Sequence, residues 1–140
     1  MSTDDTGYIS TGLTPTKGGD FSLEASEAAA KLSRCLIEFY KDLFGRGPTG
    51  VKTALSPELA TVAMHEVLTV GEQTLVAGGK ASEVEKMRLR TADIMRPQLI
   101  ELAEESLGVA ITTSVTGIRA ADNLITEAFI LAPGAASATD

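Results

Sequence analysis

One histidine and one cysteine bound the chemistry open to this 140-residue chain. His65 would act as a general base only beside a nucleophile or an orienting acid. No motif links a Ser, Cys or acid to it, and Glu66 would fall on the opposite face of a strand. We read it as an ordinary strand histidine. Cys35 has no CxxC or adjacent His partner to favour its thiolate, cannot form an internal disulfide, and is read as core filler. One Cys and one His cannot build a Cys/His zinc cage within the chain. The sequence therefore assigns no catalytic residue, and neither a metal nor a cofactor is expected.

The remaining chemistry is that of fixed charge. Gly45-Arg-Gly-Pro-Thr-Gly50 has the glycine content of a phosphate loop. It lacks the Lys-Ser/Thr ending, and it would join a helix to a strand where a phosphate loop joins a strand to a helix. A helix cap followed by a turn is the plainer reading. Lys80, Lys86, Arg88, Arg90 and Arg96 put five positive charges into seventeen residues, and Glu101, Glu104 and Glu105 follow. A helix that is basic first and acidic second opposes its own dipole. That local cost points to a partner surface, so Lys86, Arg88 and Arg90 are the expected partner contacts. Arg46 and Arg96 are weaker candidates for holding an anion such as bicarbonate or a nucleotide.

The whole-chain balance narrows the partners further. Twelve Lys and Arg stand against 19 Asp and Glu, a formal charge of −7, so nucleic acid is not the expected partner. No apolar run approaches the roughly 18 to 20 residues that span a bilayer, and the polar, acidic start does not resemble a signal peptide. A cytoplasmic location is expected.

The elements that must position these residues are legible from periodicity. Residues 1–21 mix Gly, Pro, Ser and Thr with little apolar content and read as a disordered arm; 132–140 read as a disordered tail. The single domain between them, 22–131, carries 11 basic and 15 acidic side chains. Leu32, Leu36, Phe39 and Leu43 recur at helical spacing with Cys35 and Tyr40 on the flanks, predicting a helix from Ser22 to Phe44 capped at Gly45. Val51–Leu55 and Leu59–Leu68 flank a Ser-Pro-Glu break and predict a hairpin. Thr69 with Glu72 has capping-box spacing and starts a helix at Val70, which Gly78-Gly79 interrupts. A long helix follows over 81–107. Its apolar face is expected at Val84, Met87, Thr91, Ile94, Met95, Leu99 and Leu102, with a kink or break near Pro97. After Gly108, two β-rich runs around Gly117–Asp122 predict a second hairpin.

The fold class is thus α+β: helix, hairpin, long kinked helix, hairpin, with a four-stranded, mainly antiparallel sheet and the helices on one face. The other face, with Ala63, Val67, Leu124 and Ile130, is expected to be covered in a homodimer.

Four quoted features also carry a resemblance: Leu43-Phe-Gly-Arg-Gly-Pro-Thr-Gly50 closing the first helix, Val67-Leu-Thr69 with Glu72, Arg96-Pro97 within a long charged helix, and Leu107-Gly-Val109. Over residues 26–131 the chain resembles the MpsC-like family, named for the third component of a sodium-translocating membrane-potential-generating system. Arg88 and Arg96 match positions where basic residues are expected in such domains. The resemblance implies a small accessory or regulatory protein of bacterial inorganic-carbon uptake or membrane-potential systems, with no known active site. Gly78-Gly79 and the long arm depart from the family pattern. The function expected is a non-enzymatic, dimeric module that contacts another protein, either in solution or at a membrane surface. The alternative is a small-molecule-binding regulator; an enzyme centred on His65 and a nucleic-acid binder using Lys86, Arg88 and Arg90 rank below both.

Overall fold

The computed structural model describes residues 23–133. The arm expected over 1–21 and all but the first two residues of the expected tail lie outside the described residues. Helix α1 (Leu23–Phe44) leads into strands β1 (Gly50–Leu55) and β2 (Leu59–His65); helices α2 (Val70–Ala77) and α3 (Ala81–Leu107) follow, then β3 (Ile111–Arg119) and β4 (Leu124–Leu131). The four strands form one antiparallel sheet in the order β1-β2-β4-β3. Both predicted hairpins form, and β2 pairs with β4 to join them.

Alternation along the strands decides the layers. Ala60, Val62 and Met64 of β2 and Ile125, Glu127 and Phe129 of β4 are buried on the inner face. Against them pack Leu32, Leu36 and Tyr40 of α1, with Val84, Leu99 and Ala103 of α3. Two stops come from left-handed glycines, a conformation in which a side chain would be strained. Gly45 (φ 83°) donates its N–H to the Lys41 carbonyl at 2.8 Å, and Gly108 (φ 72°) donates to Glu104 at 2.8 Å. The Gly45–Gly50 segment is therefore a cap and turn. Asn123, also left-handed, fixes the chain leaving β2: its side-chain oxygen accepts from the Leu68 N–H at 2.9 Å.

Three expectations need correction. The core stripe of α3 is Val84, Arg88, Ala92, Leu99 and Ala103, with Met87 42% and Ile94 74% exposed. The reason is phase: spacings of four, four, seven and four place an arginine on the inward face, and Met87 and Ile94 lie on a neighbouring one. Second, β2 ends at His65; Val67 is fully buried and does not belong to the open face of the sheet. That face carries Leu59, Val115 and Ile130 among mostly small or polar residues. Third, α3 runs unbroken through Pro97, so no pair of abutting helices forms.

Candidate functional site

The α2–α3 corner is built around a buried ion pair. Thr69 and Glu72 form the predicted capping box, with the Thr69 N–H donating to Glu72 Oε1 at 2.8 Å and the Glu72 N–H to Thr69 Oγ1 at 3.2 Å. The same carboxylate receives Arg88 Nε at 2.8 Å and Nη2 at 2.7 Å, a bidentate pair. Nη2 also donates to the Val67 carbonyl at 2.9 Å, and the guanidinium carbon lies 3.6 Å from the Phe44 ring centroid. Burial works against ionisation of Glu72. The hydrogen bonds from Arg88 and Thr69 and the Arg88 charge outweigh it and hold the carboxyl below its usual range.

Arg88 is only 2% exposed, so it cannot serve as the surface contact predicted for it. It is a structural anchor joining α2, α3 and the end of α1.

A second buried polar group was not anticipated. Glu127, fully buried on the inner face of β4, accepts from Tyr40 Oη and from Thr116 Oγ1, each at 2.7 Å. Burial is the main influence on it and raises its pKa despite these bonds. Burial, then the adjoining carboxyl, raises that of Tyr40 strongly. The sequence signal was available: alternation puts Glu127 on the same face as Ile125 and Phe129. The space beside this cluster, lined in part by Tyr40, Phe44, Arg88 and Thr116, is about 10 Å³ and too small for a metabolite.

The other predicted residues separate. Lys86 and Arg90 are exposed and share a shallow recess on α3 with Met87 and Ile94. Arg96 donates from Nε to the Ser114 carbonyl at 3.1 Å and from Nη2 to Asp93 at 2.7 Å, which ties α3 to the edge strand β3. Arg46 is half-buried in the turn after α1. Neither Arg46 nor Arg96 lines the recess or the interior space. His65 is exposed at the end of β2, and Cys35 is half-buried on α1. Among the described residues no three His, Cys, Asp or Glu side chains come together as a metal site.

All of the fold but the first residue of α1, and the whole buried α2–α3 corner, lie inside residues 24–133, which match the family model described as "Na+-translocating membrane potential-generating system (MpsC)". The chain belongs to the MpsC family. The match runs from the second residue of α1 to past the end of β4, so the membership covers the complete α+β unit of this MpsC domain. No curated protein and no solved structure matches the chain significantly. No helix among the described residues of the MpsC domain is long and apolar enough to cross a membrane.

Proposed function

We propose that this MpsC-family chain is a non-enzymatic, dimeric accessory module, working at the cytoplasmic side of a bacterial inorganic-carbon uptake or membrane-potential system through protein–protein contacts. One observation carries the reading: Met87 and Ile94 are 42% and 74% exposed on a regular helix, flanked on the same recess by Lys86 and Arg90. Water is a poor environment for such apolar side chains, and an apolar centre with a charged rim, here Lys86, Arg90 and Glu83, is the composition of a contact surface. The buried Arg88–Glu72 pair supports the reading by holding this helix rigidly from behind. The family description supplies the setting, a sodium-translocating membrane system.

Detergent-solubilised membranes containing that system test the reading. The full chain should co-purify with a membrane component of it, and Lys86→Ala/Arg90→Ala should reduce recovery several-fold while leaving the circular dichroism spectrum that of a folded chain. Rising salt should weaken the association, since exposed charges are screened over about 8 Å at physiological ionic strength. Undiminished recovery of the double variant would remove α3 from the contact.

A further inference from the structure

The exposed face of α3 is longer than the recess. At about 100° per residue, Lys86, Arg90, Ile94, Glu101 and Glu105 fall within one sector of about 100°, and each of these five is exposed. Glu83 is exposed in the same sector and lies 4.0 Å from Lys80; after it the stripe runs two cations, an apolar centre and two carboxylates. Ile94 is the middle residue of Ala81–Leu107 and the most exposed large apolar side chain on the helix. The acidic end borders an open groove of about 780 Å³ between α1 and α3, lined by Glu38 and Asp42 of α1 and by Glu101 and Glu105, with Arg34 as its one cation and a floor that includes Phe39 and Leu102. Among the described residues, none of these four carboxylates, nor Lys86 or Arg90, takes part in an ion pair. By contrast Glu104 is engaged, accepting the Ile111 N–H at 2.9 Å.

We infer that the stripe receives a second copy of this chain, with the two α3 helices antiparallel about a two-fold axis at Ile94. This deepens the proposed function, on which it rests: the α3 face builds the dimer, and the dimer is the form that engages the membrane component, so loss of Lys86 and Arg90 reduces recovery by way of the dimer. The argument is self-complementarity. A two-fold axis through Ile94 sets Lys86 opposite Leu102, between Glu101 and Glu105, and sets Arg90 opposite Gln98, within one turn of Glu101; Glu83 falls opposite Glu105, a like-charge contact that Lys80, 4.0 Å from Glu83, offsets in part. The second half-interface repeats the first by symmetry, so the contact closes at two copies. Each basic half enters the partner's α1–α3 groove, where Glu38 and Asp42 add to the attraction. The same pairing explains why α3 tolerates charges that oppose its own dipole: each half is neutralised across the axis, and the two dipoles run antiparallel. The outward face of the sheet carries Leu59, Val115 and Ile130 but no such pattern of opposed charges, so the α3 stripe is the surface with electrostatic self-complementarity. The chain's segments outside the described residues fit the acidic groove poorly, since residues 1–22 carry three Asp and one Lys, and 134–140 end in Asp140.

A charge-swap experiment on the full chain decides the matter. In analytical ultracentrifugation the wild-type protein should sediment at twice the 14.6 kDa of one chain. Lys86→Glu/Arg90→Glu and, separately, Glu101→Lys/Glu105→Lys should each weaken self-association at least tenfold, with circular dichroism confirming that both remain folded. Mixing the two variants should restore a dimer, because each acidic half then meets a basic one. In a Cys35→Ser background, Ile94→Cys should form a covalent dimer under mild oxidation, whereas Leu89→Cys, on another side of α3, should not. A monomeric wild type, a dimer indifferent to both charge reversals, or a mixture that stays monomeric overturns the inference. If Lys86→Ala/Arg90→Ala still abolishes membrane-protein recovery in that event, the stripe serves a different protein and the accessory-module reading stands, without its dimer where the wild type is monomeric; if recovery is also unaffected, both fail.

Discussion

Removing the Arg88 guanidinium tests the account of the α2–α3 corner most severely. Arg88→Ala deletes both charge-assisted bonds to Glu72 and the bond to the Val67 carbonyl, and it uncovers the Phe44 ring. Glu72, 6% exposed, is left with only its capping-box partners. Breaking a buried pair by taking away one member costs about 3–5 kcal/mol, because the survivor is an uncompensated buried charge. With an unfolding entropy of about 2.1 cal/mol/K per residue over roughly 110 ordered residues, about 4 kcal/mol lowers Tm by about 15–20 °C. Thermal and urea unfolding at pH 7 measure this directly. Arg88→Lys should fall between, since an ammonium cannot reproduce the bidentate fork. Glu72→Gln/Arg88→Met should lose less than the sum of its single variants, because no lone charge remains buried. The pH dependence follows from the depressed Glu72 pKa. Its contribution is present above the ordinary value of 4.5 and is lost as pH falls through the lower folded value, so wild type and Arg88→Ala should converge in acid. A loss under about 1 kcal/mol at pH 7, typical of an exposed charge, would refute the burial and the pairing together.

Glu127→Gln should match or exceed wild-type stability at pH 7 and flatten its pH dependence. The folded carboxyl binds its proton more tightly than the ordinary 4.5, so wild type loses stability as pH rises through the folded value; the amide removes that cost and can still bond Tyr40 and Thr116, and a loss above about 2 kcal/mol in urea unfolding would show that the charge is needed. His65→Ala should change stability by no more than about 0.5 kcal/mol and leave membrane-protein recovery intact, because the side chain is exposed at a strand end; loss of a measurable turnover in a folded variant would promote the enzyme reading. Gly108→Ala should cost about 1 kcal/mol, since an added Cβ meets nothing within 4 Å and the penalty is that of φ 72° alone; an unchanged Tm would mean the cap relaxes.

What the sequence made legible was what short-range rules control. The capping box at Thr69–Glu72, the glycine stops at Gly45 and Gly108 and the alternation of Leu59–His65 each depend on a few adjacent residues and appear where those rules put them; alternation carried on to Val67 fails because the strand has ended. The partners of buried charges depend on chain segments far apart. Arg88 reaches Glu72 across the α2–α3 turn, and Tyr40 reaches Glu127 across 87 residues, so neither pair has a local signature. Charge itself misled, because a rule that places arginine outside fails when a carboxylate and an aromatic ring wait inside. With Arg88 sent outward in the reading, the apolar stripe was drawn through Met87 and Ile94 instead.

The two arginines at 88 and 90 show how one helix serves two purposes. Two residues apart on an α-helix is a rotation of about 200°, so the pair cannot share a face. Arg88, 2% exposed, faces the core and joins three helices; Arg90 faces water beside Met87 and Ile94. The distinction assigns separate consequences to changes that look equivalent in sequence. Loss of Arg88 is a folding defect, visible in the isolated protein at any concentration. Loss of Arg90 should leave unfolding of the dilute, monomeric chain unchanged, which makes the pair an internal control: a variant series in which both substitutions shifted Tm equally at low concentration would mean that α3 is rotated from the phase that the contact reading requires.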